Sequence, residues 1–177
     1  GDKSPIPFTV DVDQPLGPAI RFDRRLDDSP VFARRISTPA LSPDRKRVAF
    51  SALGRIWVMD LPDGKPRRLT DASHGEFQPA WSPDGSQLVY ASWEGMAAGG
   101  HVYRVDGNGR RERLTRDGAF YGWPTFSPDG QRIAMAVMSR QAWIDDLLTF
   151  GEDMSPRAGQ RVELAWMPAA GGDLRRV

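Results

Sequence analysis

The sequence predicts an all-β chain, a partial β-propeller of three four-stranded antiparallel blades, and three observations predict it. A template recurs: Ala40-Leu41-Ser42-Pro43-Asp44, Ala80-Trp81-Ser82-Pro83-Asp84 and Thr125-Phe126-Ser127-Pro128-Asp129. Its spacing of about 40 to 45 residues is the period of a four-stranded propeller blade. Within each copy, short apolar or β-branched runs alternate with turn signals every 8 to 12 residues or so, the rhythm of antiparallel strands. Finally, 18 glycines and 15 prolines in 177 residues favour many turns over long helices.

Each copy reads as strands A to D. Strand A leads into the Ser-Pro-Asp turn. In Ser82-Pro83-Asp84-Gly85 and Ser127-Pro128-Asp129-Gly130, serine caps the first position, proline presets φ at the second, and glycine closes the turn. The first copy has Arg45 in the glycine position, so that turn is expected to be strained or differently closed. Strand B follows, around Val48-Ala49-Phe50, Leu88-Val89-Tyr90 and Ile133-Ala134-Met135. Strand C is the Ile56-Trp57-Val58-Met59 type of run. A second turn, Leu61-Pro62-Asp63-Gly64 or Asp106-Gly107-Asn108-Gly109, leads to strand D, which ends in Leu69-Thr70 or Leu114-Thr115. Gly107-Asn108-Gly109 has no helix after it and reads as a hairpin turn rather than a phosphate loop.

The resulting organisation is an N-terminal strand and connector at 1–35, blade 1 at 36–70, blade 2 at 71–115, and blade 3 at 116–177. Blade 3 carries an insertion at 139–161. Its stretch Trp143-Ile144-Asp145-Asp146-Leu147-Leu148-Thr149-Phe150 has the apolar spacing of a short amphipathic helix that caps a face or docks on another domain.

Composition excludes several classes of function. Twenty-four basic residues against 23 acidic ones give a net charge of +1, without the one-sided field of a nucleic-acid binder. No run approaches the roughly 18 apolar residues of a membrane span, so membrane insertion is not expected. Zero cysteines rule out disulfides, a thiolate nucleophile and thiolate metal ligands. No G-x-S-x-G elbow is present. The recurring Asp44, Asp84 and Asp129 are explained by turn chemistry.

Strand order sorts the loops by face. The A–B and C–D turns share one side. The D–A and B–C loops, at 71–77, 92–100, 116–122 and 139–161, share the other, which we call the near face. Function on a β scaffold concentrates in such irregular loops. The candidate partner- or substrate-facing residues are therefore His74, Glu76, Trp93, Glu94, Phe120, Tyr121 and Trp143. Aromatic groups in loops can anchor a partner. The two histidines, His74 and His101, have the atom types for a metal with Glu76 or Glu94 but no ligand spacing, so solvated loop histidines are the simpler reading. No metal ligand, catalytic residue or cofactor is assigned. Trp123, with Trp57 and Trp81, is expected to pack between blades.

Pro79-Ala80-Trp81-Ser82-Pro83-Asp84-Gly85, together with the Ile56-Trp57-Val58-Met59-Asp60 and Arg67-Arg68-Leu69-Thr70 elements, resembles the propeller repeat of the TolB family. The resemblance covers residues 36–177 and is specific for fold. The same repeat occurs in tricorn-like and prolyl-oligopeptidase-like peptidases and in front of amidohydrolase domains. The opening Ile6-Pro7-Phe8-Thr9-Val10-Asp11-Val12, followed by Leu16-Gly17-Pro18, is most similar to the amidohydrolase-linked group, in which Ile6-Pro7-Phe8-Thr9 would be the last strand of a preceding blade. The resemblance implies a non-catalytic propeller segment of a larger, exported hydrolase with an amidohydrolase-like parent. Such a segment would gate or orient substrate, or dock a catalytic domain. The alternative is a stand-alone TolB-like propeller that binds a protein or peptide. Localisation would be periplasmic or otherwise exported, with the signal outside this sequence. Propellers close with about four to eight blades, so three blades and a spare strand imply either self-association, three blades with three as a dimer, or packing on the missing blades of a parent.

Overall fold

Alternation along each strand writes the sheets. Successive side chains point to opposite faces, and here both faces of the middle strands are apolar, as a blade sandwiched between two others requires. The computed structural model describes Thr9, residues 33–139, 141–142 and 162–177. Contacts divide the chain into Gly1–Phe32 and Ala33–Val177, and the strands below all lie in the second unit. Blade 1 comprises β1 (Ser37–Leu41), β2 (Arg47–Ala52), β3 (Arg55–Asp60) and β4 (Arg67–Arg68). Blade 2 comprises β5 (Gly75–Trp81), β6 (Gln87–Trp93), β7 (Val102–Asp106) and β8 (Arg111–Arg113). Blade 3 comprises β9 (Phe120–Phe126), β10 (Arg132–Met138), β11 (Glu163–Pro168) and β12 (Arg175–Arg176). Each blade is an antiparallel meander whose spatial order follows the chain. The predicted N-terminal strand, apart from Thr9, and the predicted helix at 143–150 lie outside the described residues.

The A–B turns close alike in all three blades. The amide of Arg45, Gly85 or Gly130 donates to the carbonyl of Ser42, Ser82 or Ser127 at 2.8–2.9 Å. Each serine hydroxyl donates to the turn aspartate, at 2.6 Å for Asp44 and 2.5 Å for Asp84 and Asp129. It also accepts the amide that opens the next strand, that of Arg47, Gln87 or Arg132. Ser-Pro-Asp is thus a complete hydrogen-bonding unit. The first turn keeps this closure by placing Arg45 at φ 58°, against 69° for Gly85 and 70° for Gly130. The strain expected from sequence is real, because a Cβ is disfavoured in that region.

Two apolar seams hold the blades together. In the first, Ala49, Ile56, Val58 and Leu69 of blade 1 meet Leu88, Tyr90 and Val105 of blade 2. In the second, Val89, Ala91, Val102 and Leu114 of blade 2 meet Ile133, Met135, Val137, Ala165 and Met167 of blade 3. Burying each of the larger side chains contributes on the order of 1.5–3 kcal/mol. Cross-strand register shows where a third seam would begin. Ile56, Val102 and Leu164 occupy one template position, opposite Ser51, Ala91 and Ala136 respectively. Ile56 and Val102 are fully buried, whereas Leu164 is 58% exposed. Among the described residues, the outer flank of blade 3 thus leaves a blade-packing position exposed at Leu164.

Candidate functional site

The innermost strands β1, β5 and β9 lie side by side. Each breaks its ladder with β2, β6 or β10 by a bulge. At the bulge a non-glycine residue takes a left-handed conformation: Thr38 (φ 46°), Gln78 (55°) and Trp123 (48°). Each precedes a proline, Pro39, Pro79 or Pro124, which by itself favours extended backbone at the residue before it. Strain repeated at one template position is held by its surroundings and concentrates where chains do work. These residues line an open groove of about 220 Å3 on the inner edge. Across it the Gln78 side-chain oxygen accepts the Trp123 backbone N–H at 2.8 Å, tying blade 2 to blade 3.

Trp123 corrects an expectation. It does not pack between blades but stands 64% exposed over the groove. The physical reason is the bulge, whose extra residue breaks the in–out alternation and re-aims the side chain. Trp81 does pack against the first seam, its indole N–H donating to the Ala40 carbonyl at 3.0 Å and its ring under the Arg47 guanidinium.

The near face is built as the strand order required. The Arg55 guanidinium donates to the His74 carbonyl, and Gly100 bridges Ala119, so the B–C and D–A loops of neighbouring blades adjoin. On the opposite side, Arg47 reaches the Gly85 carbonyl and Arg104 the Ala169 carbonyl. Of the predicted near-face residues, Trp93 and Phe120 come together, with ring centroids 6.2 Å apart and planes at 58°. Phe120 is 41% exposed, so this aromatic pair presents apolar surface to solvent. His74 and Glu94 also meet, His74 Nε2 lying 3.9 Å from Glu94 Oε1. The same carboxylate oxygen accepts hydrogen bonds from the Tyr103 and Ser92 hydroxyls. Burial pushes the Glu94 carboxyl up, but those bonds outweigh it and leave it below the usual range. His74 stacks on Tyr103 and His101 approaches the same ring edge-on. Burial holds the His101 imidazole below its ordinary value, against the pull of Glu94.

Two predicted residues are not surface groups. Glu76 and Tyr121 lie in β5 and β9 rather than in loops and are buried, Glu76 completely. The Tyr121 hydroxyl donates to the Asp117 carbonyl and its ring joins the second seam. Reading the two D–A loops three residues too long, into β5 and β9, misplaced both. Trp143 lies outside the described residues. Among the described residues, no group of three His, Cys, Asp or Glu side chains could hold a metal ion. The strained groove was not anticipated, although X-Pro recurring three residues before each template serine is visible in the sequence.

Residues 25–152 match the family model described as TolB beta propeller domain. The chain belongs to that family. Among relatives of this propeller domain are the uncharacterized peptidase YuxL of Bacillus subtilis (strain 168), 27% identical over 144 residues, and the TolB of the Tol-Pal system from Francisella tularensis subsp. mediasiatica, 30% identical over 119 residues. The first alignment covers 59% of this chain and 22% of the peptidase, the second 65% and 27%. The chain thus spans about a quarter of the length of these relatives. Among solved structures, TolB from Acinetobacter baumannii superposes with a TM-score of 0.57 at 27% identity, covering 79% of this chain and 31% of that one. A TolB from Agrobacterium tumefaciens superposes at 0.66 with 20% identity, covering 82% and 50% and supporting the fold alone.

Proposed function

We propose that this chain is a non-catalytic propeller segment of a larger, exported hydrolase, which orients substrate or docks a catalytic domain on its near face and inner groove. The observation that carries this reading is the set of exposed aromatic groups: Trp123 at 64% exposure over the strained groove, and Phe120, 41% exposed beside Trp93, at the near-face ends of β9 and β6. Exposed aromatics on rigid strand ends are binding anchors more than catalytic groups. The peptidase relative favours a hydrolytic parent; an amidohydrolase-like parent rests on the resemblance of the opening residues alone. The likeness to TolB favours a second reading, a stand-alone propeller that binds a protein or peptide. In either case the open flank of blade 3 meets further blades or, for the isolated chain, a second copy.

The test is binding of a library of unstructured peptides to the wild-type chain, Trp123→Ala and Phe120→Ala. Binding that falls at least tenfold in either variant, with the circular dichroism unchanged, supports a recognition surface here. A tenfold fall corresponds to about 1.4 kcal/mol. Binding indifferent to both substitutions removes it.

A further inference from the structure

The two seams occupy the same template positions but differ in chemistry on the side away from the near face. Five residues after each template serine stand Arg47, Gln87 and Arg132. In the first seam Arg47 reaches across to blade 2. Its guanidinium donates to the Gly85 carbonyl at 2.8 Å and lies 4.5 Å from the Trp81 ring centroid. A Cβ placed on Gly85 would come within 3.6 Å of Arg47 Nη2, so the space beside that turn is filled. The second seam keeps the acceptor and an aromatic ring, as Gly130 and Phe126, but sets the shorter, uncharged Gln87 in the arginine position. A Cβ placed on Gly130 would meet only the Pro83 ring within 4 Å. Among the described residues nothing donates to the Gly130 carbonyl.

Where the guanidinium is missing there is an open cavity of about 300 Å3, with Gln87, Phe126, Asp129 and Gly130 in its walls. Its charge is unbalanced. In the first seam the corresponding positions set Asp44 and Asp84 against Lys46 and Arg47. In the second, Asp84 and Asp129 are met by Ser86, Gln87 and a single cation, Arg104. Arg104 is committed elsewhere, to the Ala169 carbonyl at 3.0 Å and the Glu112 carboxylate at 2.6 Å. Hydrogen bonds within the turns hold both aspartates below the usual carboxylate range, so both are ionised at neutral pH. Asp129 Oδ1 accepts from the Ser127 hydroxyl and the Gln131 amide, and among the described residues nothing bonds its Oδ2.

We propose that this cavity binds an arginine side chain presented by another polypeptide chain, whose guanidinium does in the second seam what Arg47 does in the first. It donates to the Gly130 carbonyl, stacks on Phe126 and faces Asp129. A guanidinium suits these walls because it is planar, permanently charged and weakly hydrated, and it both donates in a fork and stacks on aromatic faces. A lysine ammonium would meet the charge without the stack. The site lies apart from the near face and stands whether or not that face binds a peptide.

The test titrates N-acetyl-arginine amide into the 15N-labelled wild-type chain and follows its amide resonances by NMR. Saturable shifts are expected at Gln87, Gly130 and Gln131. The citrulline analogue, which keeps the shape and loses the charge, should bind at least tenfold more weakly. Gln87→Arg sets the blade 1 residue in the second seam and should abolish the shifts while raising the unfolding midpoint. Phe126→Leu should weaken binding several-fold, and it keeps the proposal testable if Gln87→Arg does not fold. A mass by light scattering that falls as the amide is added assigns the arginine to a second copy of this chain. A constant mass assigns it to a partner of different sequence. The proposal is overturned by shifts that do not saturate or that fall elsewhere, by equal binding of the two amides, or by binding that both substitutions leave unchanged.

Discussion

Arg45 shows how one template position tolerates a residue that its backbone disfavours. The turn is closed by the same hydrogen bonds as its glycine-bearing counterparts, so the arginine sits at φ 58° without changing the architecture. A left-handed non-glycine residue costs roughly 1–2 kcal/mol, partly offset by the greater entropy that glycine loses on folding. Arg45→Gly is therefore expected to raise stability by about 1 kcal/mol or slightly less, read as a higher denaturant midpoint at unchanged slope. An unchanged or lower midpoint would show that the arginine makes compensating contacts. Trp123 marks the limit of such reading. Its neighbours announce a strand, and counting alternate residues assigns it to a seam, but the bulge one residue before Pro124 reverses the side it faces. Whether an X-Pro pair sits in a regular strand or a bulge depends on its register with the partner strand across the A–B turn, which the pair itself does not encode.

The A–B turn was legible as an element because its chemistry is local: serine, proline and aspartate satisfy one another within a few residues. The seam polarity was not, since it depends on which residues the neighbouring blade presents. The same local bonds give the turns a pH signature. The Ser82 hydroxyl and the Ser86 amide hold the Asp84 carboxyl down to about 2, and Asp44 and Asp129 are lowered by the equivalent bonds. A carboxyl whose folded value is depressed contributes stability above its unfolded value, near 3.8, and loses it as pH falls through the folded one. Ser82→Ala removes a buried hydroxyl that both donates to Asp84 and accepts from the Gln87 amide. It should cost about 1 kcal/mol at neutral pH. The gap from wild type should narrow between pH 4 and about 2, as Asp84 takes up its proton. Urea titrations at a series of pH values check this, and a gap independent of pH would place the whole effect on the Gln87 bond.

At the scale of the whole molecule, one template position decides between core and surface by location alone. Ile56 and Val102 are sealed in seams, while Leu164, the third occupant, is exposed beside Trp166. The Arg132 and Arg175 guanidinium groups lie 4.7 and 5.0 Å from the Trp166 ring, so the indole is partly shielded by the chain's own charges and Leu164 is the more open apolar group on that flank. Blade 1 offers a different edge, since Phe50, which points away from blade 2, is only 7% exposed. An exposed blade-packing face invites association. Leu164→Glu should therefore leave the circular dichroism and unfolding midpoint near those of the wild type, as expected for a surface change of about 0.5 kcal/mol or less. It should also suppress any concentration-dependent rise in mass seen by light scattering. Val102→Glu, the same change at the buried equivalent, forces a charge into the second seam and should prevent folding. If Leu164→Glu unfolds the chain as Val102→Glu does, the flank is already part of the core. If mass still rises with concentration in a folded Leu164→Glu chain, association runs through another surface, and the exposed groove under Trp123 becomes the next to alter.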